Sequence, residues 1–232
     1  MITHRPAAAR GNFNFGWLDT AHSFSFGDYH DPRHMGFRAL RVINEDRLAP
    51  GGGFPFHGHA DMEIVTYIID GALEHKDSLG TGEVIRPGDA QRMSAGTGIR
   101  HSEFNASAAD PVHLLQIWLL PSERGIAPGY EQKRLPQAAA GETRIDRIAS
   151  PQGGADEVTI HSDAVISRAV LAPGGRLDVP VTRGHAWLQV VRGTLSANDQ
   201  PLAPGDGLAV SDVASLTLAS DAGAEVLVFD LG

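Results

Sequence analysis

Two pairs of metal-ligand residue types stand out by their spacing. His57 and His59 lie two apart in Gly51-Gly-Gly-Phe-Pro-Phe-His57-Gly-His59, and His101 and Glu103 repeat that interval in Gly98-Ile-Arg-His101-Ser-Glu103. Side chains two apart on a strand point to one face. Two such strands side by side would bring three imidazoles and a carboxylate to one point, a set suited to a divalent transition metal. The chain has no cysteine, so a thiolate metal site, a disulfide framework and a cysteine nucleophile are excluded. A lone His-x-His is as often a hydrogen-bonded surface pair, so the second pair carries much of the weight.

The elements that must position these groups read as strands. Apolar or alternating segments recur at Phe37–Ile43, Glu63–Ile69, His113–Leu120, Trp187–Val191 and Glu225–Phe229, punctuated by 27 glycines and 14 prolines. Helical turns are expected only near Ser122–Gly125 and within Leu135–Ala140. An internal repeat organises the strands. Leu48-Ala-Pro-Gly-Gly returns as Leu171-Ala-Pro-Gly-Gly, Asp70-Gly71-Ala-Leu as Arg192-Gly193-Thr-Leu, and Pro87-Gly-Asp89 as Pro204-Gly-Asp206. The expected fold class is therefore all-β, with two tandem jelly-roll β-barrel lobes. The lobes are expected at 1–134 and 155–232, with a linker region at 135–154. The second copy aligns Val179 or Pro180 with His57, Val181 or Thr182 with His59, Leu218 with His101 and Ser220 with Glu103. The scaffold recurs without the candidate ligands, so the fold alone does not demand them.

The formal net charge of −9 argues against a broad phosphate-binding surface, and no direct nucleic-acid partner is expected. No apolar run approaches the roughly 20 residues of a membrane span, and the N-terminus lacks a signal-peptide core. A cytoplasmic protein without membrane association is expected. Glu63, within an apolar strand, reads as a structural carboxylate or one that orients a ligand. His75 and His113 read as satisfied strand histidines, and His22, His30 and His34 as packing or solvent-facing. Phe24, Phe26, Phe54 and Phe56 could line a pocket for a flat ligand, though core packing is the default. Gly80-Thr-Gly82 and Gly96-Thr-Gly98 lack the context of phosphate loops, and no Gly-x-Ser-x-Gly elbow is present.

Gly51-x5-His57-x-His59-x3-Glu63 followed by Gly71 resembles the first cupin motif. Met93-Ser-Ala-Gly-Thr-Gly-Ile-Arg-His101-Ser-Glu103 departs from the generic second cupin motif and is similar to the pirin family. So are Trp17-Leu-Asp-Thr-Ala-His22-Ser-Phe-Ser-Phe26, Tyr29-His-Asp-Pro32, Leu40-Arg-Val-Ile-Asn44 and Gly129-Tyr-Glu-Gln132. The likeness is greatest to bacterial pirin-like quercetinases. It implies a bicupin with one metal in the N-terminal lobe, held by His57, His59, His101 and Glu103. Fe(II) comes first, while Ni, Co, Mn, Cu or Zn suit the same ligands. The implied activity is cleavage of a flavonol such as quercetin by O2; Glu103, the one ligand that can also take a proton, is the expected base. The alternative is a metal-dependent regulatory protein acting through protein partners. Two lobes in one chain lead us to expect a monomer.

Overall fold

The computed structural model describes residues Met1–Gly232. It contains twenty-two strands and one short 3₁₀ turn, Ala7–Ala9. The helical turns expected at Ser122–Gly125 and Leu135–Ala140 are absent, and both stretches are irregular. The strands form four sheets, two of seven strands and two of four. In the N-terminal lobe the larger sheet centres on Glu63–Asp70, Val112–Leu119 and Leu40–Leu48. The smaller sheet contains Gly53–His59, Ile99–Asn105, Leu73–Asp77 and Gly82–Ile85. The C-terminal lobe repeats this plan, with Gly175–Pro180 against Ser215–Ser220 where Gly53–His59 lies against Ile99–Asn105. No helix is long and apolar enough to cross a membrane.

Strand periodicity explains how one sheet serves two cores. Val65, Tyr67 and Ile69 alternate with Ile64, Thr66 and Ile68, and Leu115, Ile117 and Leu119 alternate with Leu114, Gln116 and Trp118. The first set of each strand packs with Trp187, Leu227 and Phe229 of the other lobe in a core of 22 buried residues. The two large sheets therefore meet back to back, and each large apolar side chain buried there contributes about 1.5–3 kcal/mol. The second set faces into the N-terminal barrel. A near-continuous apolar run such as Glu63–Asp70 is what a sheet covered on both faces requires.

The repeated turns are alike in detail. Gly71 and Gly193 have φ of 83° and 68°. A Cβ on either would lie 2.7 Å or 2.1 Å from the carbonyl oxygen of Pro111 or Gly223, so glycine is needed for both conformation and space. In the Pro-Gly-Asp turns, the Asp89 and Asp206 carboxylates accept the main-chain N–H of Arg86 and Ala203, each at 2.9 Å. Two features depart from the expected division of the chain. Ile2–Arg5 pairs with Gly207–Ser211 in the C-terminal sheet. Within the expected linker, Arg144–Ser150 forms a strand paired with Ala164–Leu171. Small residues such as Ala149 and Ser150 are buried there, which a reading based on turn composition misses.

Candidate metal centre and cavity

Gly53–His59 and Ile99–Asn105 run antiparallel, with His57 opposite His101 and His59 opposite Ile99. The register then shifts, so Glu103 lies opposite Phe54. Pro55 stands at this bulge, where its missing N–H costs no ladder bond. Close approach also requires Gly53, whose Cβ would lie 2.4 Å from the Glu103 carbonyl oxygen. One ligand-type nitrogen from each of His57, His59 and His101 falls within a mutual span of 4.8 Å. Glu103 groups with His101 and His75 within the same span, so His101 joins the two clusters. All four residues expected from the sequence converge on one face and line one cavity of about 250 Å³.

Hydrogen bonds fix the orientation of these groups. His57 donates Nδ1–H to the Pro55 carbonyl at 2.8 Å, leaving Nε2 with its lone pair free. The Glu103 carboxylate accepts both bonds of the Gln116 amide, at 3.1 and 2.9 Å, and Gln116 accepts the Thr66 hydroxyl at 3.0 Å. Burial and the neighbouring His57 lower His59 to about 4. Burial and the imidazoles of His57, His59 and His75 lower His101 to about 2. Burial raises Glu103 to about 7, opposed by Gln116 and reinforced by Asp46. Burial likewise raises Asp46 to about 7, against the Thr20 hydroxyl bond and with the Glu45 charge.

A divalent cation fits this donor set. Nε2 of His59 and His101 stand 3.0 Å apart, the separation of two nitrogens about 2.1 Å from a common ion at about a right angle. Asp46 and Glu103 both line the cavity, with no lysine or arginine to balance them. Neutral imidazoles and buried carboxylates facing one space are the groups that a cation stabilises.

The remaining candidates separate clearly. Glu63 is fully buried and accepts the Ser94 hydroxyl at 3.0 Å and the main-chain N–H of His161, from the chain leading into the C-terminal lobe, at 2.9 Å. It ties that segment to the N-terminal sheet. His113 pairs with Glu45 at 2.9 Å. His75 is buried beside the site, 3.1 Å from Asp77 and stacked on Tyr130. His22 packs edge-on to Phe26. Of the four phenylalanines, Phe26 and Phe54 line the cavity. Phe24 packs on Trp187 in the inter-lobe core, and Phe56 is exposed beneath Arg100. Sequence reasoning missed Asn44, Asp46, Gln116 and Trp118, which with Ile64 complete the cavity wall. The signal available was polarity inside apolar strands: Thr66 and Gln116 interrupt runs of buried aliphatic residues. In the C-terminal lobe, Val179, Val181, Leu216 and Leu218 fill the corresponding barrel.

Two jelly-roll lobes, one with a cluster of three histidines and a carboxylate and one with apolar side chains at the corresponding barrel positions, define a bicupin with a single candidate metal centre. Residues 4–119 match the Pirin family model and residues 147–231 that of the quercetinase C-terminal cupin domain. The chain is 44% identical to quercetin 2,3-dioxygenase of Escherichia coli K12, over all of this chain and 99% of that protein. The crystal structure of YhhW from Escherichia coli superposes with a TM-score of 0.95 at 43% identity, covering 100% of this chain and 98% of that one. Bacterial pirin YhhW in complex with nickel(II) gives 0.94 at 43% identity, covering 100% and 99%. The chain belongs to the pirin family.

Proposed function

We propose that this protein is a metal-dependent dioxygenase that cleaves a flavonol such as quercetin with O2 to a depside and carbon monoxide. The observation that carries this reading is the convergence of His57, His59, His101 and Glu103 on a cavity with aromatic walls, Phe26, Phe54 and Trp118. The relative named quercetin 2,3-dioxygenase and the nickel complex of a 43% identical pirin support it. One divalent transition metal per chain, Fe(II) first among candidates, would supply Lewis acidity toward the flavonol oxygen and a position for O2. His57, His59 and His101 would hold it through ring nitrogens, and Glu103 through its carboxylate. Glu103 is also the base: it takes the proton of the flavonol 3-hydroxyl while Gln116 keeps the carboxylate in place. The aromatic walls receive the flat rings and exclude water. We place the protein in the cytoplasm, acting as a monomer.

The test is to load the metal anaerobically, add quercetin and O2, and measure carbon monoxide. The expected result is about one CO per flavonol consumed, as this ring cleavage requires. Loss of the long-wavelength flavonol absorption at equal rates with and without metal would assign the bleaching to autoxidation. It would then favour a regulatory protein with protein partners.

A further inference from the structure

A polar row crosses the inner face of the large N-terminal sheet. His22 lies opposite Asn44, Asn44 opposite Gln116, Gln116 opposite Thr66, and Thr66 opposite Gln91. All five are buried. Thr20 and Asp46 form a second polar pair beside it. Buried polar groups are normally hydrogen-bonded within the protein or to water. Gln116 and Thr66 meet that rule by holding Glu103. Asn44 does not: it is 4% exposed, and its Oδ1 has no partner. Asp46 uses one oxygen, which accepts the Thr20 hydroxyl at 2.5 Å. Asn44 and Asp46 both line the cavity that holds the histidines.

We propose that Asn44 and Asp46 recognise a second hydroxyl of the substrate, distinct from the 3-hydroxyl, and set a preference for polyhydroxylated over singly hydroxylated flavonols. This rests on the flavonol reading of the site. Asn44 Oδ1 and the Asp46 carboxylate offer acceptors, so the matching ligand group is a donor. A neutral hydroxyl suits the place better than an ammonium group, because a bound divalent cation close by repels a second cation. The aromatic side chains Phe26, Phe54 and Trp118 take the ring that carries the hydroxyl. A ligand lacking it leaves the Asn44 acceptor buried and unpaired, the situation in which a polar site discriminates most strongly.

The experiment compares quercetin with 3-hydroxyflavone, which carries only the 3-hydroxyl, binding to zinc-loaded protein without O2. Dissociation constants are read from the flavonol absorption shift, with zinc content and melting temperature measured on every variant. Wild type is expected to prefer quercetin by roughly tenfold or more. In Asn44→Leu or Asp46→Leu the preference should fall to within about threefold, with Asp46→Asn intermediate. Either Leu variant that folds and keeps zinc suffices. An undiminished preference in a folded, zinc-bearing Leu variant, or no preference in wild type, overturns the proposal and leaves the flavonol reading intact. Should neither flavonol bind wild type, the flavonol reading fails and takes the proposal with it.

Discussion

Replacing Glu63 by Gln separates this site from one in which the first-motif glutamate binds the metal. Glu63 Oε2 accepts the His161 main-chain N–H at 2.9 Å and the Ser94 hydroxyl at 3.0 Å and lies 3.3 Å from His161 Nδ1, while Oε1 is buried without a partner. Glutamine in the same place keeps one oxygen for both donors but makes each bond neutral rather than charge-assisted, a loss of roughly 1 kcal/mol apiece. Its amide nitrogen falls where Oε1 was, and a buried donor without an acceptor costs about 1–3 kcal/mol more. Relief of the buried charge offsets part of this. The expected net destabilisation is roughly 1–3 kcal/mol, or a melting temperature lower by about 2–12 °C in a chain of this size. The measurement is thermal unfolding by circular dichroism, paired with metal content. Metal content should remain near that of wild type. A variant that melts normally but loses its metal would refute the reasoning and make Glu63 a ligand.

Three further outcomes follow from the same geometry. Gln116→Leu removes both hydrogen bonds to Glu103, and metal affinity measured by chelator competition should weaken roughly 10–100-fold; unchanged affinity would mean that Gln116 does not hold the carboxylate for the metal. Metal affinity should also fall with pH. His59 and His101, lowered to about 4 and about 2, are neutral near pH 6, whereas Glu103, raised to about 7, is protonated below that value. Binding then displaces at least the Glu103 proton below about pH 7, so affinity should drop about tenfold or more per pH unit on the acid side; a flat profile contradicts this. Wild type should hold one metal per chain by elemental analysis, with large losses in His57→Ala and His101→Ala; two tightly bound ions, or full occupancy in both variants, would sink the assignment.

The histidine pairs and the all-β plan were legible because a strand's period is two and because the repeat marked the same turns twice. His57 and His101 needed only adjacent strands to meet. The register shift after His101 was not legible, since it depends on Pro55 in one strand and the approach of the other at Gly53. Nor were Asn44, Asp46 and Gln116. A polar residue inside an apolar strand shows that something unusual lies opposite, but its partner comes from pairings of high sequence separation, such as Thr66 with Gln116, 50 residues apart. The place of the first strand is not legible for a related reason: Ile2–Arg5 carries no mark of joining a strand more than 200 residues away.

The duplicated lobe supplies the last argument for the site. Both lobes place a four-stranded sheet beside a seven-stranded one and share the Gly71/Gly193 and Asp89/Asp206 turns. In the second lobe Leu218, Leu216 and Val179 close the barrel with apolar packing, which shows that this architecture is stable with a filled interior. The first lobe instead buries His101, Glu103, Asp46, Asn44 and Gln116. Such burial is costly unless the groups are paired. Part of that pairing is present, through Gln116 to Glu103 and Thr20 to Asp46. Glu103→Gln tests what completes it. The variant keeps an oxygen donor but loses the basic carboxylate, so some metal should remain bound while oxygenase turnover falls by roughly 10²–10⁴-fold. If instead Glu103→Gln stays active while Glu63→Gln abolishes metal binding, the carboxylate ligand is Glu63, and Glu103 is not the base.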